Sequence, residues 1–129
     1  MTKNKLFQRL GDIALSSMFV WGGYEALKNP GPRVGMVKGA VELPNTELLV
    51  QANAVAMLVG GAGLATGIAR KKSALLLAAT IVPTTLIGHQ FWKKEFPHNV
   101  LDRHHFLKNT AMLGGLINVL TSETTKAQN

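Results

Sequence analysis

An all-α bundle of four membrane-spanning helices, with neighbouring helices antiparallel, is predicted by three features of the 129-residue chain. The first is the placement of charge. Leu48 to Ala69 contains no Asp, Glu, Lys or Arg over 22 positions, and neither does Ser73 to Trp92 over 20. Each block matches the roughly 20 residues that a helix needs to cross a hydrocarbon layer about 30 Å thick. The second is the separator Arg70-Lys71-Lys72, which is long enough only for a tight helical hairpin. The third is that no stretch alternates cleanly between apolar and polar residues with period two, the mark of a half-buried strand. A single integral membrane domain follows, with spans near residues 10–27, 47–69, 73–92 and 103–121.

The first span carries Asp12 near one end and Glu25 near the other, where charged groups can reach the interfaces once other helices lie in lipid. Lys3, Lys5 and Arg9 precede it as in a signal peptide, but Asp12 interrupts the apolar core and no A-x-A cleavage site follows. It therefore reads as an uncleaved span. Asn29-Pro30-Gly31-Pro32 stops this helix, because proline lacks an N–H and disfavours helical geometry in the residue before it. Pro44-Asn45-Thr46 introduces the second span, with Asn45 or Thr46 as its N-cap. Pro83 falls inside the third and is expected to kink it, with Thr80, Thr84 and Thr85 placed to satisfy freed backbone groups. Pro97 lies in the next connection, and Asp102 is expected to cap the fourth helix. That helix reaches spanning length only by starting near Arg103, since the uncharged run Asn109 to Ser122 covers 14 residues.

Small residues indicate how the helices associate. Ala52, Ala56 and Gly60 recur at four-residue spacing, Gly63 and Gly67 form a GxxxG pair, and Ala111 and Gly115 repeat the pattern. In lipid no hydrophobic force drives helices together, so close backbone approach at such residues supplies the packing. Gly60, Gly63, Gly67 and Gly115 are the candidate packing positions.

Composition narrows the chemistry. The chain has no cysteine, which removes disulfides, thiolate ligands, Cys-linked lipids and dithiol chemistry; redox work would need a partner or a bound cofactor. The net charge of +7 fits membrane flanks and anionic headgroups. No basic patch with interleaved aromatics points to nucleic acid. Four spans put Lys3, Lys5, Arg9, Arg70, Lys71, Lys72 and Lys126 on one side, and Lys28, Arg33, Lys38, Lys93, Lys94, Arg103 and Lys108 on the other. The count is tied. Weighting the first basic flank and the short Arg-Lys-Lys turn puts both termini in the cytoplasm.

All four histidines fall between His89 and Asn109. In a four-span bundle the end of the first helix, the start of the second, the end of the third and the start of the fourth share one face. This gathers Glu25, Lys28, Glu47, His89, Trp92, His105, Lys108 and Asn109 into a polar cap. On the last helix His105, Lys108 and Asn109 are spaced i, i+3 and i+4 and so share a side, while Trp21, Tyr24, Phe91, Trp92 and Phe96 form an interfacial aromatic belt. No His or Glu spacing on one helix supports a metal. The preferred role is structural, with Glu25 and Glu47 pairing with Lys28 or Lys108 and the histidines hydrogen-bonding at the headgroup level. The alternative is a ligand or proton pocket, to which a quinone would be suited and in which Glu25 would support charge on His89 and His105.

The order of Arg9 before the first span, GGYEALKNP at its end, a Gly-rich second helix, HQFW closing the third and HFLKN-TAMLGGL opening the fourth resembles the DoxX family of small bacterial membrane proteins, from about Arg9 to Leu120. The resemblance implies a four-helix protein of the bacterial cytoplasmic membrane. It also implies an association with membrane redox systems, since relatives include subunits of a thiosulfate:quinone oxidoreductase. The expected role is a non-catalytic anchoring or accessory subunit, with the lipid bilayer and another membrane or membrane-associated protein as partners, and self-association as a further possibility. The alternative is a quinone-interacting redox subunit or a small transporter using the polar cap.

Overall fold

The computed structural model of the protein describes residues 2–123. These form α1 (Lys3–Lys28), α2 (Gly31–Ala40), α3 (Thr46–Thr66), α4 (Arg70–Gly88), a 3-10 turn (Phe91–Lys93) and α5 (Val100–Thr121). The structure is all-helical, with no strand among the described residues. Among the described residues two segments are long and apolar enough to cross a membrane: Thr46–Thr66, of mean hydropathy 1.7, and Arg70–Lys93, of mean hydropathy 1.4.

Among the described residues the chain builds one α-helix more than the four expected. Asn29 ends α1 as anticipated, but Pro32 then stands in the first turn of α2. A proline that stops one helix is also preorganised to begin the next, because the first-turn N–H it lacks has no intrahelical partner anyway. The third expected span also stops early. Its helix closes at Gly88, His89 is the C-cap, and Phe91 to Lys93 continue only as a 3-10 turn. Asn45 precedes α3 in the left-handed region (φ 53°) without a side-chain cap, while Thr46 turns its hydroxyl back to the Leu43 carbonyl at 2.9 Å. Asp102 is not the N-cap of α5. Asn99 holds that position, and Asp102 sits in the first turn.

α3 is the central element, packed against α1, α2 and α4; α4 in turn packs against α5, and α1 touches α5 lightly. Glycines on two sides of α3 permit this. A Cβ at Gly60 would stand 2.8 Å from the Leu77 side chain of α4, and one at Gly61 would stand 2.7 Å from Val20 of α1. Gly63 lies against Ser73, and a Cβ at Gly115 would stand 3.3 Å from the Leu15 side chain. Gly67 occupies a different setting: it is the C-cap of α3, with φ 79°, a left-handed conformation that suits glycine. Sequence spacing overlooked Gly23, whose absent Cβ leaves room for the Ala54 carbonyl oxygen 2.8 Å away. Between the helices Phe19, Met57, Leu64, Ala74, Leu77, Ile81, Leu116 and Val119 form a buried cluster.

Around Pro83 the threonines bond to α4 itself: Thr80 to the Leu77 carbonyl at 2.7 Å, Thr84 to Thr80 at 2.7 Å and Thr85 to Ile81 at 2.6 Å. None of these acceptors is the Ala79 carbonyl, which Pro83 deprives of its usual i+4 N–H donor. The hydroxyls instead link α4 to its neighbours. Asn53 of α3 donates to Thr84 at 3.3 Å, and buried Asn109 of α5 donates to Thr85 at 3.0 Å.

Candidate functional site

The helix break at His89 shapes the polar end. With α4 stopped, the His89 ring stacks on His105 of α5, centroids 4.9 Å apart and planes at 23°. Its Nδ1 lies 3.5 Å from an Asp102 carboxylate oxygen, and the other oxygen accepts from Lys94 Nζ at 2.6 Å. On the far side of the stack, Lys108 Nζ is 3.4 Å from His105 Nδ1, one helical turn along α5. Phe91, Trp92 and Phe106, neighbours in sequence of His89 and His105, pack edge-on against one another, the Phe91–Phe106 centroids being 5.3 Å apart and Trp92–Phe106 5.9 Å.

The structure thus brings together His89, His105 and Lys108, packs Trp92 against Phe106 and buries Asn109 against Thr85. It leaves Glu25, Lys28 and Glu47 exposed. Lys28 extends over the Tyr24 ring at 5.8 Å, and neither glutamate forms an ion pair among the described residues. The carboxylate beside His89 is therefore Asp102, not Glu25. Sequence reading passed over it because its position near a helix start already had an explanation as a cap. No group of three His, Cys, Asp or Glu side chains among the described residues is placed to hold a metal ion.

The hydrogen bond from Lys94 holds the Asp102 carboxyl below the usual carboxylate range, outweighing the opposing effect of burial. A lowered folded-state value means that the pair's contribution is complete above the ordinary carboxylate pKa of about 3.9 and is lost as pH falls through the folded value. Thermal unfolding followed from neutral to acid pH is expected to show this loss in the parent. In Asp102→Asn the acid limb should be shallower; an unchanged limb would mean that Asp102 carries no proton linkage to folding.

A second polar constellation lies at the opposite end. Asp12, only 2% exposed, receives Arg70 Nε at 2.6 Å and Nη2 at 2.9 Å, a two-point guanidinium–carboxylate pair. Arg70 Nη1 donates to Ser122 Oγ at 2.6 Å, and the Gln8 amide oxygen, turned toward the guanidinium, accepts at 3.1 and 3.2 Å. One side chain therefore joins α1, α4 and the residue following α5. Beside it, Arg9 donates to the Ala65 carbonyl at 2.8 Å, a cation placed at the C-terminal end of α3 where exposed carbonyls favour it. In sequence, Asp12 is only an interruption of an apolar run; its partner stands 58 positions away.

The DoxX family model matches residues 8–90, well over half of the chain. The match takes in most of α1, all of α2, α3 and α4, and His89, while Asp102, His105 and Lys108 on α5 lie beyond it. No curated protein and no solved structure matches the chain significantly. With the central helix, the helices packed on it and one side of the histidine stack all inside the matched region, the protein belongs to the DoxX family, whose members are membrane-associated.

Proposed function

We propose that the protein is a four-span subunit of the bacterial cytoplasmic membrane that anchors or organises a partner in a membrane-associated redox complex and is not itself catalytic. The observation that carries this reading is the distribution of outward-facing side chains. Phe7 (68% exposed), Val59 (59%), Leu75 (61%) and Leu107 (57%) represent a sheath of large apolar groups on all four long helices, while the ion pairs sit at the two ends. Such a surface suits lipid or apolar helices of a partner and leaves little polar area for soluble chemistry. In this arrangement α1, α3, α4 and α5 cross the bilayer antiparallel to their packing neighbours. Contact pairs support that order: Gly60 meets Leu77 where Gly63 meets Ser73, and Thr85 meets Asn109 where Arg70 meets Ser122. At 22 residues and about 1.5 Å per residue, α5 is long enough to span.

Both termini face the cytoplasm in this reading, an orientation set by the Arg-Lys-Lys turn and the first basic flank; Lys126, which shared that side in the charge count, lies outside the described residues. A quinone-interacting subunit is the second reading, favoured by the stacked His89 and His105. Native purification in mild detergent, with mass analysis of co-purifying proteins and lipid extracts, tests both. A stoichiometric membrane-protein partner with no quinone is the expected result; stoichiometric quinone without a partner would favour the second reading. Reporters fused at Lys72 and at the C-terminus should respond as cytoplasmic in the same cells, and a periplasmic response at either would reverse the orientation.

A further inference from the structure

Among the described α-helices, α2 is the one with no buried residue. It is ten residues long, short of the roughly 12–15 at which a helix becomes stable without tertiary support. Three of the ten are glycine, Gly31, Gly35 and Gly39, at four-residue spacing. Each lowers helix stability relative to alanine. Close packing does not account for the last two, as it does for Gly23 and Gly60, because a Cβ at Gly35 or Gly39 would meet nothing within 4 Å.

α2 is nevertheless laid across three other helices. Arg33 Nη2 donates to the Gly22 carbonyl of α1 at 3.2 Å, the only side-chain hydrogen bond from α2 to another helix among the described residues. Met36 brings its sulfur to within 2.8 Å of where a Cβ on Gly88, the last residue of α4, would stand, and the helix also packs on α3. Arg33 reaches the edge of the core. A Cβ at Gly22 would stand 3.4 Å from Arg33 Nη2 and 3.1 Å from Met57 Cε, so the guanidinium and the methyl group approach the same point of α1. Met57 is only 9% exposed; its sulfur lies 3.5 Å from Asn53 Nδ2, which also donates to Thr84.

We propose that α2 is a marginally stable strap across the bundle, which opens by local unfolding while α1, α3 and α4 stay folded and thereby uncovers Met57 and the Asn53–Thr84 contact beside it. Segments with few buried contacts open at a lower free energy than the whole molecule. Non-helical residues flank α2 on both sides, at 29–30 and 41–45, so the strap lifts without unwinding α1 or α3. Its glycines set how often it lifts, and Arg33 is the clasp that closes it.

The test is backbone hydrogen exchange of the full chain in mild detergent, read by mass spectrometry, beside methionine oxidation by dilute hydrogen peroxide. The amides of α2 are expected to be protected at least about tenfold less than those of α3. Gly35→Ala and Gly39→Ala should each raise the protection of α2 by about two- to fivefold, the range into which the difference in helix propensity between glycine and alanine converts. Arg33→Gln should lower it by roughly two- to tenfold, the scale of one hydrogen bond. Protection of α3 should stay at the parent value. Oxidation of Met57 should follow α2, slowing in the two alanine variants and quickening in Arg33→Gln, while Met18, 43% exposed on α1, oxidises at the parent rate throughout. Protection of α2 equal to that of α3, or unmoved by both alanine substitutions, would overturn the local opening. Met57 oxidation that ignores all three variants would overturn the strap's role as a cover.

Discussion

Arg70→Met is expected to destabilise the protein by about 3–5 kcal/mol, the usual cost of leaving one member of a buried ion pair without the other. Asp12 is buried to 2% exposure and takes both carboxylate oxygens to Arg70, so the substitution leaves a buried carboxylate without its counter-charge. It also removes the only hydrogen bond between the described side chains of α4 and the segment following α5, that to Ser122. The double variant Asp12→Leu/Arg70→Met should recover much of the loss, because a matched apolar pair avoids desolvating either ion. Thermal unfolding in mild detergent measures both. A single variant as stable as the parent, or a double variant no better than the single, would remove the pair from the account of stability.

The glycines provide the second large effect, and its sign depends on position. Gly23→Ala places a methyl group 2.8 Å from the Ala54 carbonyl oxygen and 2.9 Å from the Leu58 side chain. The carbonyl belongs to the backbone of α3 and cannot rotate away, so a loss of about 1–3 kcal/mol is expected from overpacking. Gly63→Leu, driven against Ser73, should fall in the same range. Gly114→Ala meets nothing within 4 Å and should gain roughly 0.5–1 kcal/mol from helix propensity alone. Melting temperatures that move the same way for Gly23→Ala and Gly114→Ala would show that propensity, and not the contact between α1 and α3, sets the response.

What could be read from the chain follows from the range of each interaction. Blocks such as Leu48 to Ala69 announce helices because hydropathy and length are local properties, and Asn29-Pro30 marks a helix end for the same reason. The stretch after Pro30 was harder to read, since the residues that break α1 also start α2, and the two roles leave the same signature. The histidine end was partly visible: the i, i+3 spacing of His105 and Lys108 brings them together, and His89 meets them across helices. The carboxylate beside His89 is Asp102, which the connection after α4 brings back from 13 positions further along the chain, a contact that no helical spacing announces. The Asp12–Arg70 pair could not be seen at all in a one-dimensional reading, where each charge had an adequate local explanation.

The pair also imposes an order on how the protein can be made. Asp12 belongs to the first described helix to leave the ribosome, and its ion-pair partner Arg70 is synthesised 58 residues later. Until α4 arrives, the nascent chain carries an uncompensated carboxylate that disfavours settled insertion, by as much as about 2.5–3.5 kcal/mol were it at the bilayer centre. α1 is therefore held in a provisional state that Arg70 ends, and Ser122 joins the same guanidinium only when synthesis is nearly over. A chain interrupted before residue 70 would lack the guanidinium that both Asp12 carboxylate oxygens engage.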